Sequence, residues 1–311
     1  WHFTDAFEVT LGARYTEDKK EATSIGTTTD AAPIVAAPFT TSNENSWTSF
    51  DPRIVATYHF TPDLNVYASW STGFKSGGFQ YVPFSAAQAD IVFDPEEIEA
   101  TEIGLKSEWF NRRLRFNVAA FHYDYQNLQV SRIIATPSPV SLITNAGAST
   151  IDGVDVEFNW IPTENLELSL TYGYLDATYD EYVFNATTDF SGTRMVRAPE
   201  NTFNFGIQYT VPLPSDSRLI FRGDYAWLDD FFHEPGEGLP QYGGAASLAL
   251  EEAYGLADFR VIYDHQNWRV VGYVNNAFDE EYRRTINALG STAVAFMGQP
   301  QTYGVRLSFS Y

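Results

Sequence analysis

The residues best suited to metal binding or nucleophilic chemistry are spread thinly along this 311-residue sequence. Its histidines, at positions 2, 59, 122, 233 and 265, form no close pair, and it contains no cysteine. Transition-metal sites need several such ligands together, so we interpret the histidines as isolated interface or turn residues. The Gly-x-Ser-x-Gly signature of serine hydrolases is missing as well. We therefore expect no enzyme activity, no bound metal and no cofactor.

Two short segments carry weaker chemical signals. Asp229 and Asp230, followed by His233 and Glu234, offer oxygen ligands for a hard cation such as calcium, but a solvated acidic loop is the favoured interpretation. The glycine-rich stretch 73–79 lacks the spacing of a phosphate-binding loop, and no helix is predicted after it. We interpret this stretch as the junction between a strand and a loop.

Aromatic and arginine side chains recur in the long segments between the predicted strands. Aromatic rings stack on flat ligands, and guanidinium groups bind anions through charge-assisted hydrogen bonds. The pattern indicates a class of ligand, an anionic or aromatic small molecule, although each residue has an alternative role in loop packing or at a membrane surface. The candidate binding residues are Trp47, Phe79, Tyr81, Arg132, Tyr182, Arg194, Arg197, Tyr242, Arg283 and Arg284.

Period-two alternation of apolar and polar residues recurs along the whole sequence and predicts β-strands, about twelve in all. Three of them, within 114–130, 253–265 and 267–276, are less regular, and a change of phase in 114–130 predicts a β-bulge. The last strand shows the pattern best, with apolar residues at Tyr303, Val305, Leu307, Phe309 and Tyr311.

The composition narrows the class of protein. No apolar run approaches the roughly 18 residues of a membrane-spanning helix, so a membrane would be crossed by strands. Aromatic residues make up 16% of the chain and collect at predicted strand ends, as in the interfacial girdles of membrane barrels. The net charge of −21 repels phosphate groups and argues against a nucleic-acid partner. We predict an all-β fold, a transmembrane antiparallel up-and-down β-barrel, in preference to a soluble β-sandwich.

The predicted connections alternate between short turns and long loops. Short turns with Pro, Asp and Asn fall at 61–63, 111–113, 162–165, 212–217 and 265–267. Long loops are expected over 17–46, 76–96, 131–146, 180–198, 229–250 and 280–298. Up-and-down membrane barrels have this alternation because their periplasmic turns are short and their extracellular loops long. The last strand then ends at the periplasmic interface.

Several segments, in order, resemble those of TonB-dependent outer-membrane receptors. The segment 64–79 (LNVYASWSTGFKSGGF) is typical of the family, as is 100–107 (ATEIGLKS) followed by the strand 121–129 (FHYDYQNLQ). Residues 145–157 are similar to the family's Gly-x-Glu strand, and 274–282 (VNNAFDEEY) to its NLFD-x-x-Y motif. The ending GVRLSFSY matches the family's aromatic-terminated last strand. Together these segments cover most of the chain.

The resemblance implies a protein of the bacterial outer membrane that imports a scarce nutrient. The favoured cargo is a ferric siderophore; vitamin B12, haem and oligosaccharides are alternatives, and a passive diffusion channel or an adhesive barrel is the rival outside this function. The implied partners are outer-membrane lipid and lipopolysaccharide, the iron chelate or other nutrient, the TonB complex and the barrel assembly machinery. This machinery would recognise the last strand through Tyr303, Val305, Leu307, Phe309 and Tyr311.

The sequence also departs from the family pattern. The family has a 22-stranded barrel with an amino-terminal plug, whereas about twelve strands and no plug-like region are predicted here. We therefore expect residues 1–311 to be the carboxy-terminal portion of such a barrel, without the plug on which TonB acts. Open sheet edges would be exposed to lipid unless a closing partner is present.

Overall fold

The computed structural model describes residues 1, 4, 6–27, 37–135, 139–145, 147–185, 188–237, 249–289 and 292–310. A short helix α1 covers Ala86–Ala89. The strands, in chain order, are β1 (Phe7–Gly26), β2 (Phe39–Thr61), β3 (Leu64–Lys75), β4 (Gly78–Phe79), β5 (Val92–Phe93), β6 (Glu96–Trp109), β7 (Leu114–Gln126), β8 (Gln129–Ala135), β9 (Pro139–Asn145), β10 (Ala148–Thr163), β11 (Leu166–Glu181), β12 (Val183–Asn185), β13 (Thr188–Asp189), β14 (Asn201–Leu213), β15 (Ser217–Leu228), β16 (Phe231–Phe232), β17 (Leu250–Glu251), β18 (Tyr254–His265), β19 (Trp268–Asn275), β20 (Arg283–Leu289), β21 (Thr292–Met297) and β22 (Thr302–Phe309).

Twelve strands form one antiparallel sheet, the wall, in the order β1-β2-β3-β6-β7-β10-β11-β14-β15-β18-β19-β22. Each wall strand pairs with the next one along the chain, so the predicted up-and-down topology and strand count are confirmed. The five short predicted turns close hairpins at one end of the wall. At the other end the loops are long, and the remaining strands form five two-stranded hairpins within them.

The first hairpin of the wall is longer than predicted. β1 and β2 stay in register from Phe7↔Tyr58 to Gly26↔Phe39, so the expectation of a loop over 17–46 is wrong. The upper residues of these strands, such as the run TEDKKEATS at 16–24, are polar on both faces. Where both faces of a strand lie in water, apolar and polar residues no longer alternate along it. The sequence pattern of such a strand is then the same as that of a loop.

The predicted bulge in β7 is also wrong. β7 keeps an unbroken register with β6 and with β10 along its whole paired length. The apolar residues change phase because Phe116 and Val118 lie on the outer face of the wall, whereas Phe121 and Tyr123 lie on the inner face. Aromatic residues on the inner face therefore change the phase of the apolar pattern in the same way as a bulge would, although the strand is regular.

The pairing register puts apolar side chains of neighbouring strands on one face. One row across the wall joins Val118, Val156, Tyr172, Phe203 and Trp227. Many large apolar side chains of this face are exposed, for example Ile103 at 63% and Leu307 at 63%. Exposed apolar side chains on a continuous sheet face are what a lipid-facing surface requires. In the described part of the chain, no helix is long and apolar enough to cross a membrane.

Candidate ligand-binding site: the inner wall and the outer loops

The inner face of the wall is lined by polar side chains that bond to one another. The Tyr67 hydroxyl donates to Glu102 Oε1 at 2.6 Å. Farther along the wall, Arg222 donates two hydrogen bonds to the carboxylate of Asp224, one from Nε at 2.9 Å and one from a terminal nitrogen at 2.8 Å. Paired charges of this kind suit a wet lumen, because each carboxylate keeps partners when water is displaced by a passing solute.

Two glycines of the wall make room for aromatic rings on the inner face. A Cβ on Gly104 would meet the Tyr67 ring at 2.5 Å, and a Cβ on Gly153 would meet the Phe121 ring at 2.3 Å. The Phe121 ring also stacks on Tyr123, with ring centroids 4.7 Å apart. The glycines of the motif-bearing strands thus position a small aromatic patch on the lumen side.

A cavity of about 460 Å³ opens on the inner face between β11 and the foot of the last loop. Arg222, Asp224 and Asp258 line it from the wall, and Asn276 and Tyr282 line it from the loop. These side chains offer both hydrogen-bond donors and acceptors, and apolar residues such as Phe205 and Leu256 complete the lining.

The outer loops after β3 and β7 are bound to each other and to the first hairpin. Gln80 is 5% exposed, and its amide donates to Ile143 O at 2.9 Å and accepts from Ile143 N at 2.8 Å. The predicted site residues Trp47 and Phe79 meet edge to face at 6.1 Å. Lys20 lies 5.5 Å from the Trp47 ring centroid. These contacts hold the loop after β3 against the inner side of the first hairpin.

A compact aromatic core lies inside the loop after β11. Tyr182 is 2% exposed and packs against Tyr179 and Phe190, which is fully buried. Leu128 and Val130 from the preceding loop pack against this core, which joins the two loops. The Tyr182 ring therefore packs within the loop, and its predicted part in ligand binding stays a prediction.

Three of the predicted arginines come together where the last three long loops meet. The Arg194 guanidinium lies 4.8 Å from the Phe232 ring centroid. Arg197 donates from its backbone to Phe232 O at 2.8 Å and from its guanidinium to Thr285 Oγ1 at 2.8 Å. Arg283 donates through Nε to Glu251 Oε2 at 2.7 Å. The junction links 194–197, 231–233, 249–251 and 283–285, and these segments are too far apart in the sequence for a local pattern to predict it.

His233 lies at the centre of this junction. Its side chain is fully buried, and neither ring nitrogen meets a hydrogen-bond partner among the described residues. Nε2 is 3.6 Å from Glu251 Oε2, and the ring meets Phe231 edge to face at 5.0 Å. Burial lowers the pKa of His233; Glu251 opposes this shift, and the Arg197 and Arg283 guanidinium groups act in the same direction as burial.

The other predicted site residues have different positions. Tyr81 is 82% exposed and Arg284 is exposed, both in outer loops, so each presents a free surface to solvent. The side chain of Arg132 and the whole of Tyr242 and Tyr311 lie outside the described residues. Ligand binding by any of these residues stays a prediction.

The described side chains of 229–234 do not converge on one point, as a calcium site would require. Asp229 accepts from Asn201 Nδ2 at 3.0 Å, and Asp230 pairs with Arg194 at 3.0 Å. His233 Nε2 lies 3.6 Å from Glu251 Oε2 of the next hairpin strand. Within the residues that the structure describes, no three His, Asp or Glu side chains gather in a metal-binding group.

Glu251, Gln80 and Asn276 are site residues that sequence reasoning missed. Asn276 is 5% exposed; its side chain donates to Glu280 O at 2.9 Å and Gln299 O at 3.0 Å, which fixes the foot of the last loop. Only Asn276 carried a signal, since it belongs to the VNNAFDEEY motif. Glu251 and Gln80 form their bonds with residues more than 30 positions away, and no local pattern marks them.

The last strand lies as predicted. Tyr303, Val305, Leu307 and Phe309 occupy the outer face of β22 and pair with Val274, Gly272, Val270 and Trp268 of β19. Their exposed fractions run from 80% at Tyr303 to 49% at Phe309. Recognition of this strand by the assembly machinery stays a prediction.

A continuous antiparallel wall, apolar outside and polar inside, with short turns at one end and long loops at the other, defines a bacterial outer-membrane β-barrel of which this chain forms part. The family described as "TonB dependent receptor-like, beta-barrel" matches residues 1–277. The chain therefore belongs to the TonB-dependent receptor β-barrel family, whose members are outer-membrane receptors and transporters rather than enzymes.

Known relatives agree in fold and family. The metal-pseudopaline receptor CntO of Pseudomonas aeruginosa is 26% identical over 282 residues, which cover 87% of this chain and 35% of that protein. The pesticin receptor of Yersinia pestis is 22% identical over 312 residues, covering 100% of this chain and 42% of the relative. The crystal structure of the ferric yersiniabactin uptake receptor FyuA from Yersinia pestis superposes with a TM-score of 0.82 at 19% identity, over 100% of this chain and 44% of that one. The chain thus spans less than half the length of the relatives it matches.

Proposed function

We propose that the protein imports a ferric siderophore across the outer membrane, and that the TonB complex drives the import. The observation that carries this proposal is the family membership of a chain whose wall is apolar outside, polar inside and covered by interlocked outer loops. The named relatives are receptors for a metal–pseudopaline complex, for pesticin and for ferric yersiniabactin. The names of CntO and FyuA support a metal chelate as the class of cargo.

The loop chemistry supports an anionic or aromatic chelate. Tyr81 and Arg284 present an exposed ring and an exposed guanidinium in outer loops. Rings stack on catechol-like groups, and a guanidinium binds carboxylate or phenolate oxygens in pairs. The cargo would then pass the polar inner wall. Vitamin B12, haem and oligosaccharides remain the alternative cargoes.

TonB acts on a plug in the proposed mechanism. We propose that residues 1–311 form the carboxy-terminal part of the barrel wall and that a plug domain inside the complete barrel contacts TonB. The proposed partners in the membrane are lipid and lipopolysaccharide on the apolar face and the barrel assembly machinery at β22. The chain's share of its relatives' length, 35% of CntO and 42% of the pesticin receptor, supports a larger complete barrel.

A binding panel tests the proposed cargo. The intact protein, extracted from outer membranes, is titrated with ferric siderophores of the catecholate, hydroxamate and carboxylate classes, with haem, vitamin B12 and oligosaccharides. We expect at least one ferric siderophore to bind in the micromolar range or tighter, and Arg284→Gln to weaken it roughly tenfold or more, as the loss of a charge-assisted hydrogen bond implies.

A neighbouring surface residue provides the control for this panel. Glu252 is exposed at the foot of another loop, and Glu252→Gln should leave the affinity unchanged. Binding of another cargo class alone would replace the siderophore proposal. A steady ion conductance in planar bilayers with no saturable ligand would instead favour a passive channel.

A further inference from the structure

The junction of the last three outer loops depends on one buried carboxylate. Glu251 is 4% exposed. Its carboxylate accepts two hydrogen bonds from Arg283, one from the backbone N of Arg283 at 2.9 Å and one from the Nε of Arg283 at 2.7 Å. These bonds tie the hairpin β16–β17 to the start of the hairpin β20–β21. Arg197 adds the third loop, because it bonds to Phe232 O and to Thr285.

His233 is an unusual neighbour for this ion pair. Its backbone N donates to Ala249 O at 2.8 Å, so the ring is held in place inside the hairpin. The ring is fully buried beside Phe231, with Nε2 just beyond hydrogen-bond distance of Glu251. Burying a neutral imidazole without hydrogen-bond partners costs free energy, and an apolar side chain would fill the same space without this cost. We therefore look for a role of His233 that depends on its titration.

We propose that His233 is a proton-operated latch that keeps the last three outer loops closed when it is neutral and releases them when it is protonated. The charged groups that face it are Glu251 from β17, Arg283 from β20 and Arg197 from the loop after β11. Glu251 favours a proton on the ring and the two guanidinium groups oppose it, while burial of the ring is the largest effect against the proton. A proton on His233 therefore puts a charge on a fully buried ring, and opening the junction to water relieves it.

The direction of the pH response follows from linkage. Burial lowers the pKa of His233 in the closed junction, and this outweighs the opposing effect of Glu251, while an opened, hydrated imidazole titrates near its ordinary value of about 6.5. The open form thus binds the proton more tightly. The closed junction is stable above about pH 6.5 and loses stability as the pH falls below it, by up to about tenfold in the open-to-closed ratio per pH unit.

Distance measurements between spin labels test the latch without any ligand. The 311 residues contain no cysteine, so Glu252→Cys and Phe296→Cys place labels at exposed positions of two of the joined loops. The intact protein extracted from outer membranes is measured from pH 8 down to pH 5, a range in which ordinary carboxyl groups stay ionised. We expect one narrow distance at pH 8 and a growing, longer population below about pH 6.5. A narrow distribution throughout would overturn the proposal.

Substitutions identify the titrating group. His233→Gln, or His233→Phe if the first variant is already open at pH 8, should stay closed down to pH 5. Glu251→Gln should open the loops even at pH 8, because Arg283 loses the carboxylate that joins the two hairpins. His122→Gln is the matched control on the outer face of β7 and should keep the full response. A His233 variant that is closed at pH 8 and still opens in acid would refute the latch, and heat-modifiable gel mobility checks that each barrel is folded.

Discussion

Replacing Ile207 with Arg puts a charge at the middle of the lipid-facing surface of the wall. The apolar band on the outer face of β14 begins at Phe203 and ends at Val211, and Ile207 lies at its centre with 41% of its surface exposed. Its neighbours in register are Leu168 of β11 and Gly223 of β15. The new side chain would therefore meet lipid on a strand that is paired on both sides.

The cost follows from the depth of the site. At about 3.3 Å per residue, four residues on each side of Ile207 give roughly 13 Å of strand, or about 10 Å of depth for a strand inclined at about 40°. An arginine that far from either interface costs roughly 2–4 kcal/mol in membrane barrels. The folded-to-unfolded ratio should fall by roughly 30- to 900-fold.

The next residue provides the control, because Gln208 faces the lumen. Its amide donates to Glu167 Oε2 at 3.3 Å, so an arginine there keeps a carboxylate partner, and Gln208→Arg should cost less than about 1 kcal/mol. Both variants of the intact protein are refolded into lipid vesicles, titrated with urea and read by heat-modifiable mobility on gels. An equal loss of stability in the two variants, or a larger loss for Gln208→Arg, would refute the assignment of faces.

Three further substitutions follow from the packing. Gly153→Ala should destabilise the barrel by about 1–3 kcal/mol in the same urea titration, because the new methyl group clashes with the Phe121 ring. Gln80→Ala should speed proteolysis in the loops after β3 and β7 without lowering the thermal midpoint of the barrel, because two loop bonds are lost. Leu307→Arg should reduce the yield of folded barrel while Ser308→Arg is tolerated; equal yields would contradict the facing of β22.

The wall was predictable because its strands are determined by the alternation of neighbouring residues in the sequence. Residues such as Tyr303, Val305 and Leu307 alternate with polar ones, since one face of the strand meets lipid and the other meets water. The short turns were predictable from their Pro, Asp and Asn residues. The prediction failed where this contrast vanishes: above the membrane, in 17–26 and 39–46, and at the aromatic inner face of β7.

The loop junction was predictable only in its residue types. Arg194, Arg197 and Arg283 were recognised as candidates from their place in long loops, yet their partners come from other loops. Glu251 and His233 are ordinary residues in sequence and become informative only through burial. Pairing of distant side chains depends on how the loops fold back over the wall, which no periodicity encodes.

Uptake of radioactive iron by whole cells tests the central claim most directly. Cells that carry the intact protein as their sole receptor for the best-binding ferric siderophore are compared with isogenic cells that lack TonB, at siderophore concentrations below the binding constant. The account predicts saturable uptake that disappears without TonB and without the protein. Uptake that continues at the same rate without TonB, or that never saturates, would contradict it and point to passive diffusion.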